Sequence, residues 1–148
     1  MKDIQVGQIT VSRDGFQHMA DVLNLNKKIF GEDRLINRLD HEPMIFLTAH
    51  CAGRLAGFKI GYALNRLVFY SAKGAIDPDF RRRGAATLLL QTMMKDAALL
   101  GFRELQYDTF PAIYPGMLVL GLRHKFKIIN VKWNGEYHDF QIRLGRKM

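Results

Sequence analysis

The stretch IDPDFRRRGAATLLL, from Ile76 to Leu90, sets Arg81, Arg82 and Arg83 directly before Gly84 and an apolar run. Cations are unfavourable at the start of a helix, where the dipole is positive. The placement makes physical sense if an anion docks there. At a strand-to-helix junction the first helical amides have no partner within the helix and point outward together. Gly84 and the small Ala85 and Ala86 let a bulky anion approach the backbone, and the arginines can flank it with charge-assisted hydrogen bonds. A pyrophosphate meets these requirements. The spacing is neither that of the P-loop nor that of the dinucleotide fingerprint. Three arginines by themselves are more often a solvated patch; it is the strand–glycine–helix context that favours a bound anion.

The elements around this junction must hold it in place. IQVGQITV (Ile4 to Val11) has the alternation of a first strand. Asp14 can cap a helix from about Gly15 to Phe30, and EDRLINRLD reads as a second short helix after a break at Gly31. Pro43 ends the helical region. MIFLTAHC and LAGFKIGYAL flank AGR as a hairpin, and RLVFYSAKGAID (Arg66 to Asp77) is a longer strand stopped by Pro78. Gly84 to Leu100 is the strongest helix, with Ala86, Leu89, Leu90, Met93, Ala97 and Leu100 in one stripe and Gly101 as its terminator. ELQYDTF follows as a strand, so that strand, long helix and strand predict a right-handed crossover and a parallel pair. A short helix near Gly116 to His124, the strand FKIINVKW, a type I′ turn at Asn134-Gly135 and the strand EYHDFQIRL complete the chain. The fold class predicted is α+β: a mixed, mostly antiparallel twisted sheet flanked by helices.

A length of 148 residues without linker, repeat or low-complexity stretch predicts one domain over 1–148. Twenty-two Lys and Arg against fourteen Asp and Glu give a net charge of +8, which suits anionic partners: nucleic acid, a membrane face or a phosphorylated cofactor. The absence of a long apolar span or a signal-peptide core predicts a cytoplasmic protein that does not engage a membrane. The single cysteine, Cys51, excludes an internal disulfide. His18, His41, His50, His124 and His138 lack metal-ligand spacing, so no metal is expected. The closing GRKM reads as a frayed basic tail.

GAIDPDFRRRGAATLLLQTMM resembles the acyl-CoA-binding motif of the GNAT superfamily of N-acetyltransferases. The matching residues are Ile76, Pro78, Phe80, Arg81, Gly84 and Ala86. GRLAGFKIGYA is similar to the family's third-strand region, and LRHKFKII to its helix-to-strand junction, with Lys125 where the family has glycine. The resemblance implies that the CoA pyrophosphate binds the backbone of Arg82, Arg83, Gly84, Ala85, Ala86 and Thr87, with Arg81 and its neighbours adding charge. It implies that the fourth and fifth strands splay apart and that pantetheine lies in the gap like an added strand, bonded to Ala75 and Ile76. A bulge at Gly74 is the expected cause of the splay. A backbone N–H aimed at the tetrahedral oxyanion of acyl transfer can be worth on the order of 3 kcal/mol.

The family often uses a tyrosine after the fifth strand to protonate the leaving thiolate, a role that falls here on Tyr114. The asparagine frequent after that strand is replaced by Phe110 and Pro111. Glu32, Asp77, His50 or a water chain could serve as the base that deprotonates an amine. The implied activity is transfer of an acetyl group from acetyl-CoA to a primary amine, borne by a small molecule or a peptide. A homodimer stays open. Two other readings remain: a CoA-binding sensor or partner module without catalysis, and a basic nucleic-acid-binding domain. No RNA- or DNA-binding motif is present, so no nucleic acid is expected as partner.

Overall fold

Short runs rich in β-branched and aromatic residues become the strands of this chain. The computed structural model describes residues 4–6 and 8–148, and its strands are β1 (Ile4–Val6), β2 (Ile9–Ser12), β3 (Met44–Cys51), β4 (Arg54–Ala63), β5 (Val68–Ile76), β6 (Glu104–Thr109), β7 (Lys127–Asn134) and β8 (Asp139–Lys147). Among the described residues these make one eight-stranded sheet in the order β1-β2-β3-β4-β5-β6-β8-β7. Neighbouring strands are antiparallel except β5 and β6. The helices are α1 (Met19–Phe30), α2 (Ala85–Leu99) and α3 (Pro115–Arg123). The predicted mixed, mostly antiparallel sheet flanked by helices is the fold observed.

The sheet separates two apolar layers. On one face α2 and α3 cover Leu47, Phe69, Leu105, Tyr107 and Leu144, with Leu89, Leu90 and Met93 of α2 fully buried. On the other face α1 places Val22 and Leu25 against Phe46, Phe58 and Ile60, and Leu35 inserts beside them. Burying each such aliphatic side chain contributes roughly 1.5–3 kcal/mol. α1 ends at Gly31, whose left-handed φ of 69° lets its N–H donate to the Lys27 carbonyl at 2.8 Å.

Several local expectations are corrected. The segment Ile4 to Val11 is two strands folded on each other, with Ile4 opposite Val11 and Val6 opposite Ile9; residue 7 lies outside the described residues. Asp14 does not cap α1. A 3-10 turn over Gly15–His18 intervenes, and Asp14 instead donates its N–H to Ser12 Oγ. EDRLINRLD forms no helix: Asn26 Nδ2 takes up the carbonyls of Glu32 and Arg34, and Leu35 is the segment's buried anchor. The Asn134 turn is longer than two residues, because Asn134 Oδ1 accepts from the amides of Glu136 and Tyr137 and β8 resumes only at Asp139. GRKM does not fray. Gly145 and Arg146 pair with Gln106 and Leu105, and Arg146 donates to the His124 carbonyl at 2.8 Å.

Candidate active site

The junction after β5 is built by Asp77 and Pro78. Asp77 accepts from the Asp79 amide at 3.0 Å and starts a 3-10 turn over Pro78–Phe80, which buries Phe80 beneath the loop. Arg54 and Arg83 lie over the Phe80 ring, 4.8 and 5.7 Å from its centre. The chain then passes through two left-handed residues, Arg82 (φ 64°) and Gly84 (φ 84°), before α2 begins. The first ladder bond of α2 runs from the Leu88 N–H to the Gly84 carbonyl at 3.0 Å. The amides of Ala85, Ala86 and Thr87 therefore lie outside the ladder, as at any helix start. Arg81, Arg82, Arg83 and Gly84 are exposed. A Cβ built on Gly84 would meet no atom within 4 Å. The glycine is thus required by its φ and not by crowding, and open space faces the helix start where an anion would sit. These features fit a diphosphate.

β5 and β6 are paired only over Val68–Glu104, Phe69–Leu105 and Tyr70–Gln106. Beyond Tyr70 the two strands part. The sequence placed a bulge at Gly74, but the register shift lies elsewhere: Gly61 faces Ser71 while Ile60 faces Lys73, so the extra residue is Ala72. A bulge bends its strand and increases twist, and this one follows immediately on the last β5–β6 pair. Gly74 itself pairs regularly with Lys59, and Ala75 and Ile76 pair with Phe58 and Gly57. Ala75 packs toward the α1 layer and Ile76 toward the α2 layer, and among the described residues the β6-facing backbone edge of this segment has no strand partner in the sheet.

At the α1 side of the gap the structure gathers Tyr114, Phe30, Glu32 and Lys73. The rings of Tyr114 and Phe30 meet edge to face with centres 5.5 Å apart, and Lys73 Nζ sits 4.5 Å from the Phe30 centre. Lys73 Nζ donates to Glu32 Oε2 at 3.0 Å. Tyr114 is the residue preceding α3, not a member of it. Burial, then the negative charge of Glu32, then Tyr137 push its phenol above the ordinary value, so it keeps its proton at neutral pH. Of the three candidate bases, only Glu32 joins this group. Asp77 holds the turn before α2 and pairs with Lys28 at 3.2 Å. His50 is bonded to Thr48 at 2.9 Å and packs on His18, on β3 and away from the parted strands.

Where the sequence departs from the family motif, other residues take over. Asp139 Oδ2 accepts the amides of Ala112 and Ile113 at 2.8 and 3.2 Å, organising the turn that Phe110 and Pro111 enter. Lys125 adopts the left-handed φ of 64° itself, and the Phe126 N–H still closes α3 on the Gly121 carbonyl at 2.9 Å. The site also contains residues that pattern reading passed over. Tyr70, Asp108, Gln141 and Arg143 form a bonded group beside the gap. Lys59 is buried, and its signal in the sequence is a lone charge within the apolar run from Leu55 to Tyr62.

The family model described as an acetyltransferase (GNAT) domain matches residues 33–112, more than half of the chain. The chain belongs to the GNAT acetyltransferase family. Solved structures of the same fold include Ard1 from Thermoplasma volcanium, at a TM-score of 0.84 and 15% identity over 95% of this chain and 98% of that one. The ribosomal-protein-S18-alanine N-acetyltransferase from Escherichia coli aligns at a TM-score of 0.81 and 14% identity, covering 94% and 93%. A GNAT family acetyltransferase from Elizabethkingia anophelis, solved with acetyl-CoA bound, aligns at 0.78 and 16% identity, covering 97% and 100%. No curated protein matches the chain by sequence.

Proposed function

We propose that this protein transfers an acetyl group from acetyl-CoA directly to a primary amine. The observation that carries the reading is the parting of β5 from β6 beyond Tyr70, in the same strand that leads into the left-handed start of α2. A pantetheine arm needs an open strand edge, and its diphosphate needs free amides with nearby cations. Both needs are met within one continuous stretch, from Ala75 to Thr87. The acetyl-CoA bound in the Elizabethkingia relative supports this choice of co-substrate.

In this reading the amides of Arg82, Arg83, Gly84, Ala85, Ala86 and Thr87 hold the diphosphate, and Arg81 and its neighbours neutralise it. The backbone of Ala75 and Ile76 orients the pantetheine arm and offers a donor to the acyl oxygen as that oxygen gains charge. Bound acetyl-CoA supplies the activated thioester. Glu32, exposed on one side and paired with Lys73 on the other, attracts the acceptor's ammonium and takes its proton directly or through water. Tyr114 returns a proton on the leaving side. The aromatic walls from Phe30 and Tyr114 suit an acceptor with an apolar flank next to its amine.

The test is to incubate the protein and acetyl-CoA with a mixed library of small amines and short peptides and read products by mass spectrometry. An acetylated amine, formed together with free CoA, is the expected result. Acetyl-CoA binding without any product across the library would favour a CoA-binding module that has lost catalysis.

A further inference from the structure

Lys59 stands on β4, opposite Gly74 of β5, and only 4% of it is exposed. Its side chain points to the face covered by α2 and α3. The amine lies 5.8 Å from the centre of the Tyr107 ring on β6. The lysine therefore reaches from β4 past β5 to β6. Gly74 lies beside that crossing: a Cβ there would be in van der Waals contact with Lys59 Cγ at 3.5 Å, and tight against the Phe58 carbonyl at 3.2 Å. Tyr107 follows directly on Gln106, the last residue of β6 paired to β5. The amine is thus held where the two strands have begun to part.

A lysine in such surroundings normally has a carboxylate beside it. Among the described residues, none lies within ion-pair distance of Lys59. The Tyr107 hydroxyl is committed to the Met117 carbonyl at 2.7 Å, so only its ring meets the amine. Burial alone lowers the amine to about 8, with no charged neighbour contributing. The site keeps a cation under desolvation cost and gives it no anion of its own. An arriving anion would remove that cost.

We propose that the Lys59 ammonium is the counter-ion for the sulfur of coenzyme A. This rests on the reading above, in which the pantetheine runs down β5 past Ile76 and Ala75. Its next station is Gly74, with Lys59 across from it. When the acyl carbon–sulfur bond breaks, the electron pair of that bond stays on sulfur, and Lys59 holds the resulting thiolate until Tyr114 or water protonates it. Lys59 thus favours the leaving group, whereas the arginines of the α2 loop act only on the diphosphate.

The test compares CoA with desulfo-CoA, which lacks the sulfur, by isothermal titration at about pH 7.5, where a free thiol of pKa ~8.5 is only about one-tenth ionised. The thiolate absorbance of bound CoA is recorded in parallel. The wild type is expected to bind CoA about ten-fold more tightly than desulfo-CoA, and its bound thiol to be largely ionised. Lys59→Met should bind both compounds alike and lose the thiolate band, while Lys59→Arg should retain part of each effect. Equal affinities with no thiolate band in the wild type would overturn the role of Lys59 and leave the CoA site standing. Failure of the wild type to bind either compound would overturn both.

Discussion

The Tyr70 hydroxyl donates to Asp108 Oδ2 at 2.9 Å, joining β5 to β6 by side chains where their backbones are about to separate. Asp108 also accepts two bonds from Arg143, at 2.8 and 2.9 Å, and one from Gln141 at 3.0 Å. One carboxylate therefore ties β5, β6 and β8 together at the root of the gap. The opening is framed by a fixed base and not by a frayed sheet.

Asp108→Asn should expose that dependence. Burial alone would raise the Asp108 carboxyl, but the bonds from Arg143 and Tyr70, the charge of Arg143 and the bond from Gln141 together hold it below its ordinary value. A depressed folded value stabilises above the unfolded pKa of ~3.9 and is lost as pH falls through the folded value. The variant should be less stable by about 1–3 kcal/mol at neutral pH. The difference from wild type should shrink below roughly pH 4. Urea unfolding at pH 7 and near pH 3 reads both; a difference that ignores pH would contradict the assignment.

Gly84→Val should weaken CoA binding at least ten-fold. A β-branched residue resists the φ of 84°, at a cost of roughly 1–2 kcal/mol for leaving the right-handed region. No atom stands near the new Cβ in the free protein, so the fold should survive with a slightly lowered melting temperature. Calorimetric titration with CoA separates the two effects. Unchanged affinity would remove the anion site from this loop.

Tyr114→Phe keeps the ring that packs on Phe30 and removes only the hydroxyl. If that hydroxyl supplies the proton, kcat should fall by about 10²-fold while KM for acetyl-CoA stays within error. Steady-state rates with the acceptor identified by mass spectrometry decide it. A loss confined to KM of the acceptor would make Tyr114 a wall of the pocket.

Replacing Arg81, Arg82 and Arg83 together by alanine should weaken CoA binding and flatten its dependence on salt. All three are exposed, so their attraction for a diphosphate is screened at a Debye length of about 8 Å under physiological salt. Titrations at low and high ionic strength should converge for the variant and diverge for wild type.

Much of this site could be read from the chain because its constraints are local. A strand, a proline, three arginines and a glycine before an apolar helix specify the α2 junction without reference to distant residues, and the structure places Gly84 in the conformation only glycine adopts freely. The bulge was misplaced for the opposite reason. Gly74 looked irregular by residue type, but the extra residue is fixed by the register between β4 and β5, which no short window contains. The 32–40 segment misled in the same way. It reads as a short helix after the break at Gly31, yet two of its backbone carbonyls are claimed by Asn26. Asp108 was invisible because its partners are contributed by other strands, and Lys59 showed only as a lone charge in an apolar run because the ring it meets comes from β6.

The extra residue at Ala72 has a consequence for the parity of β5. A regular strand alternates sides at every step, but the bulge absorbs Ala72 as an extra residue, so that Lys73 keeps the α1 side and Gly74 the α2 side after Ser71. Deleting Ala72 would leave that assignment of sides intact and straighten the strand. The result would be a protein with every side chain in its native layer and no aperture between β5 and β6, able to fold yet unable to admit a pantetheine arm.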